Sequence, residues 1–515
     1  MSAVTAVGRN VFAEAREWYG EMETFVVSRE TVAMSESDIE RELEKRGREL
    51  MRRLMQAHLD VRGPGEAAGG MAEGSDGVIR VRERLHERGL ETIFGEVRVE
   101  RAGYGAKGVE SLHPLDAELN LPPELYSHEV RRRAADEAAK ESFDEVVRTL
   151  KTTTGAEPGK RQVEELVVRA AADFDAFYEK RQELRSSDQT GSILAITADA
   201  KGVVMRREDL REGTKKKAEQ SQHKLVNRLS RGEKRNAKRM ATVAGVYTVA
   251  PYVRTAEQIL HCLAPQNERD SNQRPRPENK RVWASLEKTP EQVIGETFYE
   301  AKRRDPEGKK TWVALVDGNE TQIEILTKLF KKQGRDVLIV LDFIHVAERV
   351  WKAGLDLHPE GSPELEDWVT TRLRTILEGR ISEVAGGMRR SATLQGLDQA
   401  ARQRMDSCAN YLLNYKPYLH YDQYLKKGLP IATGVIEGAC RYLVKDRMDR
   451  TGARWSLNGA EAVLRLRALR TCGDFEDYWR FHEEQEYRRN HAARYAGGDV
   501  TPVRNRTKRH LKLVK

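Results

Sequence analysis

Three acidic residues stand where a metal-dependent catalyst would need them. Asp199 closes the apolar run SILAITADA, Asp317 closes WVALVDG, and Glu437 lies in TGVIEGACRYLVKDR. The first two runs are short and aliphatic and are bounded by Gly202 and Gly318, which is the pattern of buried strands. A carboxylate at the end of such a strand emerges at the rim of a sheet, where open α/β folds place their ligands. The third acid follows Pro430 and Gly434 and falls on a helix. Two strand-end aspartates and a helical glutamate can hold two divalent cations about 3.5–4 Å apart, the arrangement that drives in-line phosphoryl transfer. Taken singly, each acid is equally well a cap or turn residue. Mg²⁺ suits this donor set, because a hard cation prefers carboxylate, water and phosphate oxygens; Mn²⁺ is the natural substitute.

The rest of the composition bears on what such a site would act on. The chain has 515 residues, 33% of them charged, with a formal net charge of +8. That length implies several domains. The charge is uneven: from Arg206 to Arg239 there are 13 Lys/Arg and 5 Asp/Glu, a net of +8 that equals the excess of the whole chain. Within it, Lys215, Lys216, Lys217, Lys234 and Arg235 are the strongest candidates for contact with a phosphate backbone, which rewards clustered cations by counterion release. The end of the chain, Thr501 to Lys515, adds Arg504, Arg506, Lys508, Arg509, Lys512 and Lys515 without one acid. The four cysteines (Cys262, Cys408, Cys440 and Cys472) form no C-x-x-C pair, which argues against a disulfide framework or a tetrathiolate zinc site. No run approaches 18 apolar residues and the first residues lack a signal-peptide core, so the expected location is cytoplasmic.

The elements that must position these residues follow from periodicity. A helix is expected over Ser37–Val61, then a Gly-rich loop, then a small hairpin in ETIFGEVRVERAGYG. Amphipathic segments from Ser127 to Tyr178, broken at Gly155 and Pro158, have the outline of a helix-turn-helix. Its second helix would offer Lys160, Arg161 and Gln162 to base edges. ILAITADAKGVVM reads as a hairpin about Lys201 and Gly202, and ATVAGVYTVAPYV as a third strand. The stretch from Cys262 to Arg281 reads as a mobile excursion, and everything from His345 to Pro430 as helix. After Glu437, Arg441 and Lys445 fall on roughly its own helix face, Arg447, Arg450 and Arg454 thicken the basic patch, and Trp455 is either a core residue or a stacking platform for an unpaired base.

The order of three strands, helix, strand, helix, strand, insertion and acidic helix resembles the RNase H-like core of DDE transposases. The segments FGEVRVERAGY, PLDAELNLPPELYS, KRQVEELVVRAAADFDAFY, TADAKGVVMR, VALVDGNETQ, LDFIHVAERVW and VIEGACRYLVKDRMDRTGARWS are similar to the Kra-type family of bacterial insertion-sequence transposases. That resemblance implies an α/β fold: an RNase H-like mixed sheet with an all-helical insertion, preceded by a largely helical DNA-binding region. The implied boundaries are a helical segment at 1–90, a β-hairpin module at 91–125, a helix-turn-helix-like region at 126–185, and the catalytic core at 190–345. The helical insertion then covers 346–430, the final core helices 431–485, and a basic tail 486–515. It makes Asp199, Asp317 and Glu437 the catalytic metal ligands for two Mg²⁺ ions, and Asp342 with His345 an auxiliary D-x-x-H element. Asp317 is preferred to Asp342 as second ligand on fold order. The implied activity is binding of terminal inverted repeats, metal-dependent DNA cleavage and 3′-OH strand transfer by a homo-oligomer on DNA. A structure-specific nuclease without strand transfer and a non-catalytic DNA-binding regulator are the alternatives.

Overall fold

The structure is a computed structural model of the full chain and describes residues 11–183, 189–220, 237–263, 274–450 and 452–504. It divides into two compact units, Met1–Phe177 with Asp474–Lys515, and Tyr178–Gly473.

The first unit opens with a helical pair, Ala13–Val26 and Glu36–Arg62, the second capped by Ser35, whose hydroxyl accepts from the Asp38 amide. A three-stranded antiparallel sheet follows: β1 Met71–Glu73, β2 Ile79–Thr92 and β3 Gly95–Gly105. The β2–β3 hairpin is longer than its apolar residues imply, because charged residues fill half of β2 and hide its alternation. Gly95 carries the reversal at φ 122°, a conformation that a side chain would strain. Helices His128–Lys140, Phe143–Thr153 and Lys160–Ala170 pack on one another through Val130, Ala134, Ala138, Val146, Leu150, Val163 and Val167, all buried. Ser127 and Ser142 cap the first two of these helices.

The second unit is built on a mixed five-stranded sheet of β4 Ile193–Val204, β5 Lys238–Val249, β6 Glu278–Ser285, β7 Thr311–Val316 and β8 Leu338–Leu341. Its spatial order is β6-β5-β4-β7-β8. β5 alone runs against the rest: it is antiparallel to β4 and β6, while β7 is parallel to β4 and β8 to β7. Two sequence expectations change here. The supposed hairpin about Lys201 and Gly202 is one continuous strand, paired with β5 from Ile193↔Val249 to Val204↔Lys238. Gly202 sits within it where an added Cβ would press on Lys238, so the glycine marks a close approach rather than a turn. The end of the expected excursion is strand as well, since β6 begins at Glu278 and buries Val282, Trp283 and Ala284. Its Asn-Lys-Arg start masked the signal. From Phe343 to Lys426 the chain is helical, in segments Phe343–Gly354, Pro363–Leu377, Ile381–Leu394, Gln399–Asn414 and Tyr421–Lys426.

Candidate metal centre

The sheet register places the acids. β4 and β7 pair in parallel up to Thr197↔Leu315, and two positions beyond stand Asp199 and Asp317. β7 and β8 pair up to Val316↔Leu341, and one position beyond stand Asp317 and Asp342. The Asp342 amide donates to the Val316 carbonyl at 2.8 Å, which holds that register past the strand end. In a parallel ladder residues at equal register share a face and neighbouring strands lie about 4.8 Å apart. Asp199, Asp317 and Asp342 therefore form one row along the carboxyl side of three adjacent strands. Asp199 lies within β4, which runs on to Val204, rather than at its end.

The helix Gly434–Ala439 brings the fourth acid. Its first residues and Asp342 are bound together: the Thr433 hydroxyl donates to Asp342 Oδ2 and lies 3.2 Å from Glu437 Oε1. Asp342 is fully buried and caps the helix Phe343–Gly354 by accepting from the Ile344 amide at 2.9 Å. Its other oxygen takes His345 Nδ1 at 2.8 Å, and the same nitrogen is 4.0 Å from Glu437 Oε1. Beyond Ala439 the helix widens into a π-helical turn, Cys440–Lys445. Such turns are rare and concentrate at functional sites. Here the turn seats the buried Cys440 thiol against Asp199, with Sγ 3.1 Å from Oδ2.

The helical segment braces this edge. Tyr415 donates to the Gly318 carbonyl at 2.7 Å and Tyr421 to the Leu341 carbonyl at 2.8 Å, while the Phe343 amide donates to the Ile431 carbonyl at 2.9 Å. Gly318 holds φ 94°, and a Cβ there would lie 2.9 Å from the Tyr411 hydroxyl, so only glycine fits between Asp317 and that ring. Asn319 then caps the next helix by accepting from the Gln322 amide.

Electrostatically the cluster is short of cations. None of Asp199, Asp317, Asp342 and Glu437 pairs with a lysine or arginine among the described residues. His345 is the positive group hydrogen-bonded to the row: its bond to Asp342 outweighs burial and, with the charges of Asp317 and Glu437, pushes its pKa up to about 9. Burial, then the nearby Asp342 charge, pushes the Glu437 carboxyl above its ordinary range. Burial and Asp199 together push the Cys440 thiol up, which keeps it protonated and a donor. Asp342, His345 and Glu437 each offer one ligand atom, all within 4.8 Å of one another, His345 only once its proton has left. That spacing and the unmet negative charge fit a divalent cation. The expected set of Asp199, Asp317 and Glu437 does not close to that spacing among the described residues; Glu437 is drawn to Asp342 by Thr433. The sequence gives Asp342 and His345 a supporting role and does not point to Thr433, Cys440, Tyr415 or Tyr421. Only the four-residue step from Thr433 to Glu437 on a helix could have flagged one of them.

No family model matches the chain, and no curated protein matches it. Among solved structures, the Drosophila P element transposase strand transfer complex aligns over 75% of this chain and 86% of its own at 9% identity. The TM-score is 0.21, a likeness too slight to carry an argument about fold or function. No helix among the described residues is long and apolar enough to cross a membrane.

The expected DNA contacts sort into three groups. Lys160, Arg161 and Gln162 are exposed at the start of the helix Lys160–Ala170, but each is engaged. Lys160 meets Asp144 at 2.7 Å, Arg161 meets Glu165 at 3.1 Å, and Gln162 Oε1 accepts from the Gly159 amide and from the Tyr126 hydroxyl, both at 2.8 Å. Lys216, Lys217, Arg441, Lys445, Arg450 and Arg454 are exposed and Lys215 half-buried, whereas Lys234 and Arg235 lie outside the described residues. So do all but the first of the basic residues in the tail, Arg504 being described and the rest not. Two residues are corrected. Trp455 is buried, its indole N–H donating to the Met448 carbonyl at 3.1 Å, and it packs in the core rather than presenting a stacking face. Arg447, buried over the same ring at 4.8 Å, is likewise part of that core and not of a surface patch.

Proposed function

We propose that the second unit has an RNase H-like core and that the chain is a DDE-type transposase, cleaving DNA at the terminal inverted repeats of an insertion sequence and joining the 3′-OH to target DNA. One observation carries the reading: three aspartates in a single register row on adjacent parallel strands, met by a glutamate from a helix that follows a helical insertion. The strand order β6-β5-β4-β7-β8, with only the second strand in sequence reversed, supports the same core. Asp199, Asp317 and Glu437 would hold two Mg²⁺ ions, and the nearness of Asp342 to Glu437 favours Asp342 as a further donor. When bound, such ions activate an attacking oxygen and stabilise the leaving 3′-oxygen.

The chain's own residues have definable tasks in this scheme. Thr433 holds Glu437 toward the aspartate row, and the Cys440 thiol fixes the orientation of Asp199. Charged His345 places a cation beside the position a scissile phosphate would take. Arg441, Lys445 and Arg454, all exposed, would grip the flanking backbone. The helices at 128–170 would read the transposon ends, with a homo-oligomer assembling on DNA.

The test is a pre-cut duplex end with a free 3′-OH, incubated with target plasmid and Mg²⁺ or Mn²⁺. Joined product supports the transposase. Hydrolysis without joining leaves a nuclease, and a mobility shift with neither leaves a DNA-binding regulator.

A further inference from the structure

The helix Ala13–Val26 has two apolar faces and uses one. Ala15, Trp18, Met22 and Phe25 turn toward the helix Glu36–Arg62: Trp18 donates its indole N–H to the Arg46 carbonyl at 2.9 Å, and Arg46 and Arg53 lie over Phe25 and Trp18 at 4.2 and 4.6 Å. About 100° around the axis lies a second stripe with no cover. The large apolar residues exposed on this helix and its caps are Val11, Phe12, Tyr19, Val26 and Val27, at 39%, 38%, 53%, 48% and 79%. Phe12, Tyr19 and Val26 are spaced by seven, the repeat that keeps one seam facing a neighbouring helix.

This stripe is symmetric about Tyr19. Phe12 and Val26 lie seven residues on either side of it. Beside the seam stand one cation and one anion, Arg16 three residues before Tyr19 and Glu23 four after, and neither has an ion-pair partner among the described residues. We propose that a second copy of this chain docks here, the two helices antiparallel about a two-fold axis through Tyr19. In that arrangement Tyr19 meets its own counterpart, Phe12 packs on Val26 of the second copy, and Arg16 reaches Glu23 twice by symmetry. A parallel pair would set Arg16 against Arg16 and Glu23 against Glu23, so charge selects the antiparallel form. A two-fold interface must be complementary to itself, and this stripe is. A helix of 14 residues is about 21 Å long, too short alone to reach the roughly 1,200 Å² of a stable interface, so the pairing is weak and reversible.

Sedimentation equilibrium of the full chain, taken up to the order of 100 μM without DNA, tests this, since a weak pair populates only near its Kd. The wild type is expected to move from monomer to dimer with concentration. Tyr19→Glu, which puts two carboxylates on the axis, should weaken association by about tenfold or more, as loss of a central contact does. Arg16→Glu should weaken it too, and Arg16→Glu with Glu23→Arg should restore it. Circular dichroism confirms that these exposed changes leave the fold intact. A wild type monomeric throughout, a Tyr19→Glu protein that still dimerises, or a double variant that stays weak would each overturn the proposal.

Discussion

Two clusters in this molecule gather carboxylates around a histidine, and they handle the charge in opposite ways. In the first unit Asp173 accepts from His482 at 2.7 Å and from Arg489 at 2.9 and 3.0 Å, while Glu486 takes Arg131 at 3.0 Å and Arg489 at 2.6 Å. Burial would raise both carboxyls, yet these arginine and histidine bonds outweigh it and hold each at about 2. Each anion there has its cation built in. In the second unit Asp342, Asp317 and Glu437 share one histidine, and Glu437 is pushed up rather than down. A cluster that neutralises itself is a fastening. One left short of positive charge would, on the proposed reading, take a cation from outside.

The largest test of that contrast is chemical. Asp199→Asn, Asp317→Asn, Asp342→Asn and Glu437→Gln should each lower strand joining by more than about 10³-fold, the scale of losing a charge partner in the transition state, with end binding preserved in a mobility-shift assay. Normal joining by Asp317→Asn beside a dead Asp342→Asn would move the second ligand to Asp342. Next in size is the fastening itself. Arg131 is fully buried, and Arg131→Met should cost about 1.5–3 kcal/mol in urea unfolding, the scale of a charged hydrogen bond, because Glu486 then keeps only Arg489 of its two arginines; the rate of joining per folded molecule should not change.

A third comparison uses metal directly. Mn²⁺ at about 100 times its Kd should stabilise the wild type by about 2.7 kcal/mol, read as a shift in thermal unfolding, and Glu437→Gln should lose most of that gain. EDTA should reverse it. The smallest effect is on pH. Asp173 and Glu486 have folded pKa values near 2, below their ordinary 3.8 and 4.5, so their contribution is complete above about pH 4.5 and is lost as pH falls toward 2. For Asp173, which is nearly buried, that amounts to about 2 kcal/mol. Asp173→Asn should therefore flatten the acid limb of a stability–pH curve; an unchanged limb would show that the bonds to His482 and Arg489 contribute nothing net.

How legible this was in the sequence differs by element. Asp199, Asp317 and Asp342 are plain because each interrupts or ends a run of aliphatic residues, and a buried strand permits few charges. β8 and the helices after it were likewise visible. β2 and β6 were not, because Arg, Glu, Lys and Asn fill their exposed positions and erase the alternation. The joining of Glu437 to Asp342 through Thr433 spans 91 residues and follows from tertiary packing alone. Trp455 could not be assigned, since a tryptophan beside arginines reads alike whether its ring faces the core or the solvent.

On the proposed reading, the long detour between Asp342 and Thr433 also bears on when the protein first becomes able to cut. A growing chain that has reached Asp342 already holds the sequence of all five strands, and with them the aspartate row. Glu437, Thr433 and Cys440 arrive only after the whole helical segment has been made, at about 5–20 residues per second. Tyr415 and Tyr421, which brace Gly318 and Leu341, belong to the same late stretch. On the proposed reading a truncated or half-made polypeptide could bind cations weakly but could not cut, so the fold withholds its chemistry until synthesis is nearly done.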